Sequence, residues 1–288
     1  MLWLPSPAFS VPPDEHPIAC AACEGWNAPR APVQLAAHTW FVGPAGLSVV
    51  AVRTEDGLVL LDAALPQSVD LLWANLAAAG LDPTELRWVL TSHPHFDHVG
   101  GAAAIQRRSG ATVVAGPRAE AALRAGTALA DDPQADTTGE DSAAFPAVTG
   151  PIRALADGET LEVGGVRFRR VATPGHTPDG SSWTWDDTDA AGGLLHLVFA
   201  DSLNPVSSEA YRFGDHREAF ESSIRAIHDL PCDLLIPVHP SFGGFDDRAR
   251  RAASRGPAAW VDPNACTRYA DDAAKRLRAR LRKEARAG

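Results

Sequence analysis

Apolar positions along this chain fall into short runs that alternate with segments of helical period. The short runs cover residues 40–42, 47–53, 58–62, 87–92, 112–115, 161–163, 166–172, 182–185, 194–200 and 233–238. Their length and their Val, Leu, Ile and Trp content predict strands. Between many of them, residues 69–79, 102–108, 118–125, 217–228 and 265–285 predict helices. Two sheets packed face to face, with helices outside, would bury these strands. The first 30 residues hold six prolines and no periodicity, and they predict an extended N-terminal arm, 1–30, ahead of a single domain, 31–288. Residues 127–150 are polar and rich in Ala, Asp and Thr, and they predict a long loop of the kind that often covers a site.

Composition narrows the choice of function. The chain has 288 residues, 45% of them hydrophobic, enough for a full core in one α/β unit. No internal repeat is visible, and no apolar run approaches the roughly 20 residues of a membrane span. The net charge of −10 disfavours a polyanionic substrate such as nucleic acid. The basic stretch 275–286 carries seven positive residues and one negative at helical spacing, and it reads as the solvated face of a last helix. The start does not read as a signal peptide, because it lacks a basic region and Pro5 and Pro7 interrupt its apolar stretch.

The chemistry is concentrated in Thr91-Ser-His-Pro-His-Phe-Asp-His-Val-Gly-Gly101. His93, His95, Asp97 and His98 fall within six residues. Imidazole nitrogen and carboxylate oxygen are good zinc ligands at neutral pH, and a cluster this dense is costly without a cation. The preceding Leu86-Arg-Trp-Val-Leu-Thr-Ser92 reads as a buried strand, and residues 99–108 as a helix. Open α/β sheets place their ligand sites at such strand-to-helix junctions. His93 and His95 are two apart, so an extended backbone points both to one side. Asp97 and His98 lie where the chain turns, so one motif can feed two neighbouring metal positions.

A catalytic zinc takes about three protein ligands and an open position. Four ligands from the motif leave two to be supplied. His176, in Ala172-Thr-Pro-Gly-His-Thr-Pro178, and His239, in Leu234-Leu-Ile-Pro-Val-His-Pro240, each follow a strand as the motif does. His16, His38, His196, His216 and His228 read as structural or surface residues. Asp62 ends another strand and is positioned to fix a ligand histidine's tautomer, and Ser92 could do similar work. Asp201, in Phe199-Ala-Asp-Ser-Leu-Asn204, reads equally as a metal-bridging carboxylate or as a structural neighbour.

These residues resemble the metallo-β-lactamase superfamily, and most of all the class B, subclass 3 β-lactamases. The resemblance rests on the motif from His93 to His98 and on Gly175-His-Thr-Pro178 followed by Ser182-Trp-Thr-Trp185. Narrower features are Ala200-Asp-Ser-Leu203 and the pair Leu230-Pro-Cys-Asp-Leu234 and Asn264-Ala-Cys-Thr-Arg-Tyr269. It implies an α/β fold, an αββα sandwich of two mixed β-sheets with helices on the outer faces, so that 31–288 would be a single metallo-hydrolase domain. It implies two zinc ions, one held by His93, His95 and His176 and the other by Asp97, His98 and His239. Asp97 would also orient the metal-bound hydroxide. Ser202 and Asn204 would bind the substrate carboxylate, and Cys232 would pair with Cys266. Closing that loop would stabilise by roughly 3–4 kcal/mol on a chain-entropy model.

Two positions depart from the subclass. Asp179 stands where glycine usually follows His-Thr-Pro, and aspartate tolerates a left-handed backbone better than most residues. Asn204 stands where serine is usual. Cys20 and Cys23 form C-x-x-C without a second pair at zinc-ribbon spacing, which leaves a local disulfide or a structural zinc. Paired cysteines and the resemblance imply an exported protein, periplasmic or secreted.

The expected function is zinc-dependent hydrolysis of the β-lactam amide, with resistance to β-lactam antibiotics as its consequence. The alternative is another hydrolase of the same fold, a lactonase or a glyoxalase-II-like thioesterase. No G-x-S-x-G or S-x-x-K nucleophile motif is present. The expected partner is the small-molecule substrate alone, without nucleic acid or membrane, and the expected state is a monomer.

Overall fold

The computed structural model describes residues 11–135 and 144–287. The first ten residues of the N-terminal arm and residues 136–143 of the 127–150 loop lie outside the described residues. Among the described residues, twelve strands form two mixed sheets. The first holds, in spatial order, β1 (Val33–Ala36), β2 (Thr39–Phe41), β3 (Val50–Thr54), β4 (Gly57–Leu61), β5 (Leu86–Leu90), β6 (Thr112–Ala115) and β7 (Ile152–Ala154). The second holds β8 (Thr160–Val163), β9 (Val166–Ala172), β10 (Ser181–Thr188), β11 (Leu194–Ala200) and β12 (Leu234–Pro237). Pairing from β4 through β7 is parallel, as is β11 with β12, and the remaining ladders are antiparallel.

The helices are α1 (Cys23–Trp26), α2 (Val69–Ala78), α3 (Phe96–Val99), α4 (Ala102–Ser109), α5 (Ala119–Ala125), α6 (Arg217–His228), α7 (Phe245–Arg255) and α8 (Ala265–Ala287). Three apolar layers explain why the strand sequences are apolar on both faces. In β4, Val59 and Leu61 point between the sheets toward Phe168, Trp183 and Ile236. Leu58 and Leu60 point outward to Leu72 and Leu76 of α2 and Ile105 of α4. In β11, Leu197 and Phe199 face inward, while Val198 and Ala200 pack on Phe220 and Ile227 of α6 and Ala270 and Ala273 of α8. A strand covered on both sides cannot show the alternation of a half-exposed one. The result is the αββα sandwich expected.

The structure adds elements that the sequence pattern did not show. β1 and β7 are edge strands of four and three residues, too short for a periodic signal. α7 buries only Phe245 and Arg248, so it carries almost no apolar stripe. The helix expected at 99–108 is divided, because Gly100 and Gly101 separate α3 from α4.

Cys232 and Cys266 are disulfide-bonded with Cα atoms 6.2 Å apart, which ties the start of α8 to the chain entering β12. Cys20 and Cys23 form a second disulfide. Among the described residues, no helix is long and apolar enough to cross a membrane. The segment from Val11 to Arg30 lies along the sandwich. Gln67 exchanges hydrogen bonds with the Ile18 backbone, and Glu15 pairs with Arg107 and Arg108 of α4.

Candidate active site and metal centre

Strand ends on one rim of the sandwich bring the predicted residues together. His93 and His95 follow β5, and Asp97 and His98 sit in the single turn of α3. His176 lies in the turn between β9 and β10, and His239 follows β12. Ligand atoms of His93, His95 and His176 all lie within 4.8 Å of one another, as do those of His93, Asp97 and His98. His239 joins the second group. Its Nε2 is 3.2 Å from His98 Nε2 and 3.4 Å from Asp97 Oδ2, and the latter two are 3.2 Å apart. Two trios of donors thus stand side by side. None of the other five histidines enters either group.

Each of these five histidines has one ring nitrogen engaged by a carboxylate or a backbone carbonyl. His93 Nδ1 meets Asp201 Oδ1 at 2.7 Å, and His98 Nδ1 meets Asp62 Oδ2 at 3.1 Å. His176 Nδ1 donates to the Asn204 carbonyl at 2.8 Å, and His239 Nδ1 to the Gly46 carbonyl at 3.2 Å. His95 is turned the other way, with Nε2 3.1 Å from Asp132 Oδ1. Such outward bonds set the tautomer and aim the remaining lone pair. His93 Nε2 is buried and has no hydrogen-bond partner in the protein. An orphaned imidazole nitrogen in a cluster of five histidines fits a metal ion.

Electrostatics give the same fit. Asp62, Asp97, Asp132 and Asp201 are all buried, and each has a carboxylate oxygen within 3.2 Å of a histidine nitrogen. Burial and the neighbouring histidines drive His93 well below its usual pKa, and burial pulls His176 down to about 3. Burial also opposes charge on His98, yet Asp97 and Asp62 push it up to about 10. His98 and His239 hold Asp97 well below the usual carboxylate range against its burial. Asp201, wholly buried, is pushed well above that range by desolvation. A dication would relieve the carboxylates and replace the proton on His98.

Asp62 follows β4 and stands against His98. It adopts φ 61°, and besides His98 it accepts from the Ser92 backbone N–H at 2.6 Å and the Ser92 hydroxyl at 2.7 Å. Ser92 Oγ also lies 3.2 Å from His93 Nδ1. Asp201 lies behind His93, and its other oxygen accepts from Thr173 at 3.2 Å. Ser202, next to it, is buried. Tyr269 of α8 clamps this segment, donating to the Asp201 carbonyl at 2.7 Å and accepting from the Leu203 N–H at 3.2 Å. Asn204 positions His176 through its main-chain carbonyl.

Asp179 is not in the left-handed region, so backbone tolerance is not its role. Its carboxylate pairs with Arg170 at 2.6 Å and accepts from the N–H groups of Arg118 and Ala119 at 2.6 and 3.0 Å. This pins the His176 turn to the start of α5. Glycines make room on both sides. A Cβ on Gly116 would stand 2.3 Å from both Arg170 and Asp179, and one on Gly180 would stand 2.0 Å from Asp201. Arg170 is 1% exposed, so Asp179→Ala should destabilise by about 3–5 kcal/mol by leaving a buried guanidinium unpaired. Urea unfolding at neutral pH measures this, and a change below about 1 kcal/mol would refute the pairing as a source of stability.

Asp132 is the site residue that the sequence did not reveal. It sits in the loop 127–150, and only the neighbouring Asp131 and Pro133 mark a turn there. Trp26 of α1 likewise reaches the centre, with its ring 5.4 Å from that of His239.

Known proteins share this architecture. A family model of the metallo-beta-lactamase superfamily matches residues 42–191. The Rm3 metallo-beta-lactamase structure superposes with a TM-score of 0.87 at 39% identity, covering 92% of this chain and 98% of that one. MEM-A1, a subclass B3 metallo-beta-lactamase from a soil metagenome library, gives a TM-score of 0.87 at 35% identity, covering 91% and 100%. The hydroxyacylglutathione hydrolase of Acidiphilium cryptum is 30% identical over 169 residues, 59% of this chain and 53% of that protein. The chain thus spans about half the length of this curated relative. With the fold, the histidine–aspartate motif and the family match in agreement, the chain belongs to the metallo-beta-lactamase superfamily of metal-dependent hydrolases, and subclass B3 enzymes are among its structural neighbours.

Proposed function

We propose that this protein hydrolyses the amide bond of β-lactams with two zinc ions, one at His93, His95 and His176 and the other at Asp97, His98 and His239. The observation that carries this reading is the place of Asp201. Its carboxylate is spent on His93 Nδ1 and Thr173, behind the ligands and not between the trios. A thioesterase of the glyoxalase II type uses an aspartate in a comparable segment as a bridge between metals. The near-complete overlap with B3 β-lactamase structures, against half-length overlap with the hydroxyacylglutathione hydrolase, supports the same choice.

Zinc in these positions supplies a Lewis acid and lowers the pKa of water toward about 7. The chain's own groups do the positioning. Asp97 orients the attacking water. Ser202 and the Asn204 side chain receive the substrate carboxylate. Asp62, Ser92 and Asp201 hold the histidines rigid, so the site does not reorganise during the reaction. The strained ring makes the amide reactive without a protein nucleophile. The two disulfides favour an oxidising compartment, periplasmic or extracellular.

Nitrocefin turnover, measured beside lactone and thioester turnover, tests the reading. Hydrolysis of nitrocefin should be abolished by EDTA, restored by zinc and indifferent to clavulanate, which traps a serine nucleophile. In the same assay, Ser202→Ala should raise KM severalfold, since it removes about one hydrogen bond to a charged group, roughly 1.5–3 kcal/mol at most. Lactone or thioester turnover without any nitrocefin turnover would replace β-lactamase with the other hydrolase of this fold.

A further inference from the structure

Asp132 belongs to neither metal-binding motif, yet it is 4% exposed and touches a ligand histidine. Its two oxygens stand 3.1 and 3.2 Å from His95 Nε2. The carboxylate is itself held, because Oδ1 accepts from the Gln134 N–H at 2.8 Å. The backbone around it is fastened too. The Asp132 N–H donates to the Leu129 carbonyl at 2.9 Å, and the Pro133 carbonyl accepts from the Ser208 N–H at 2.8 Å.

A carboxylate at Nε2 favours the tautomer that carries the proton there, leaving the lone pair on Nδ1. The Gln134 side-chain nitrogen, a donor, lies 3.4 Å from Nδ1, which suits a ring nitrogen without a proton. The other four ligand histidines use the opposite arrangement, with Nδ1 bonded outward to Asp201, Asp62 or a backbone carbonyl. His95 stands edge-on to His93, at 89° with ring centroids 4.7 Å apart. His176 stands at 87° to His93 as well, yet with its Nδ1 outward, so the outward partner and not the ring angle chooses the nitrogen left for the first trio. For His95, Asp132 is the group that selects it.

We propose that Asp132 is a positioning residue of the metal centre, holding His95 so that Nδ1 faces His93 and His176 and fastening the 131–135 segment to the first trio. The proposal rests on the two-zinc reading but not on the substrate, so the test reads metal binding and not β-lactam turnover. A protein that holds zinc and ignores nitrocefin would fail the substrate assignment and leave this test intact.

The experiment is chelator competition on zinc-loaded protein, with long-range proton–nitrogen spectra of the histidines as a second readout. In the wild type, one ligand histidine should show the Nε2–H tautomer and four the Nδ1–H tautomer. Asp132→Ala should weaken one zinc ion by roughly 10- to 100-fold, leave the other unchanged and shift the Nε2–H signal. Asp132→Asn keeps a neutral acceptor and should lose only a few-fold at the same ion. Asp131→Ala, which removes the exposed partner of Arg118, should change nothing. If Asp132→Ala does not fold, the Asn variant decides alone. Unchanged affinity at both ions, equal loss at both, or five Nδ1–H histidines in the wild type would each overturn the proposal.

Discussion

His239→Ala should leave the protein with one zinc ion per chain instead of two, and it should lower kcat/KM for nitrocefin by at least about 100-fold. His239 is one of three donors in the second trio, at 3.2 and 3.4 Å from its companions. Losing it leaves Asp97 and His98, too few to hold a zinc at working concentration. A Lewis-acid contact is worth several kcal/mol, and about 3 kcal/mol already corresponds to roughly two orders of magnitude in rate. His176→Ala should cost as much, but at the other ion. Elemental analysis after equilibration with zinc reads the stoichiometry, and a wild-type value of one would count against two sites. Full occupancy in either variant would remove that histidine from the ligand set.

Asp201→Ala should keep two zinc ions at saturating metal while weakening one of them by roughly 10- to 100-fold, the usual effect of removing a carboxylate behind a ligand histidine. It should also lower stability by about 1–3 kcal/mol, since His93 Nδ1 and the Thr173 hydroxyl lose a buried partner. Chelator competition and urea unfolding measure the two effects. Clean loss of one zinc at saturation would mean that Asp201 bridges metals. It would move the protein toward the thioesterase reading.

The local part of the site was legible because its residues lie close together in the chain. His93, His95, Asp97 and His98 share one strand-to-helix junction, where backbone direction alone separates them into two sets. His176 and His239 were legible by analogy, each directly after an apolar run. The fold class was legible from strand-length apolar runs alternating with helices. β1, β7 and α7 were not, because two are edge strands of three or four residues and one is a helix that buries only Phe245 and Arg248.

Three assignments needed the assembled structure. The sequence left Asp201 as a bridging carboxylate or a structural neighbour, and in the fold its carboxylate meets His93 Nδ1, 108 residues away. Asp179 could have served as a substitute for glycine, and its carboxylate proved to be the group that matters, joined to Arg170 and the start of α5. Asp132 had no motif at all, and its partner His95 is 37 residues away.

By itself the sequence determined the candidate ligand types, their local spacing, the strand-and-helix order and, through its family resemblance, the pairing of Cys232 with Cys266. Only the tertiary structure decided which carboxylate stands against which histidine, and so which ring nitrogen is left unengaged by it. The physical reason is range. Backbone geometry carries a residue's direction over two or three neighbours, whereas a tautomer is set by whichever buried acceptor the packed sheets and loops bring against the ring.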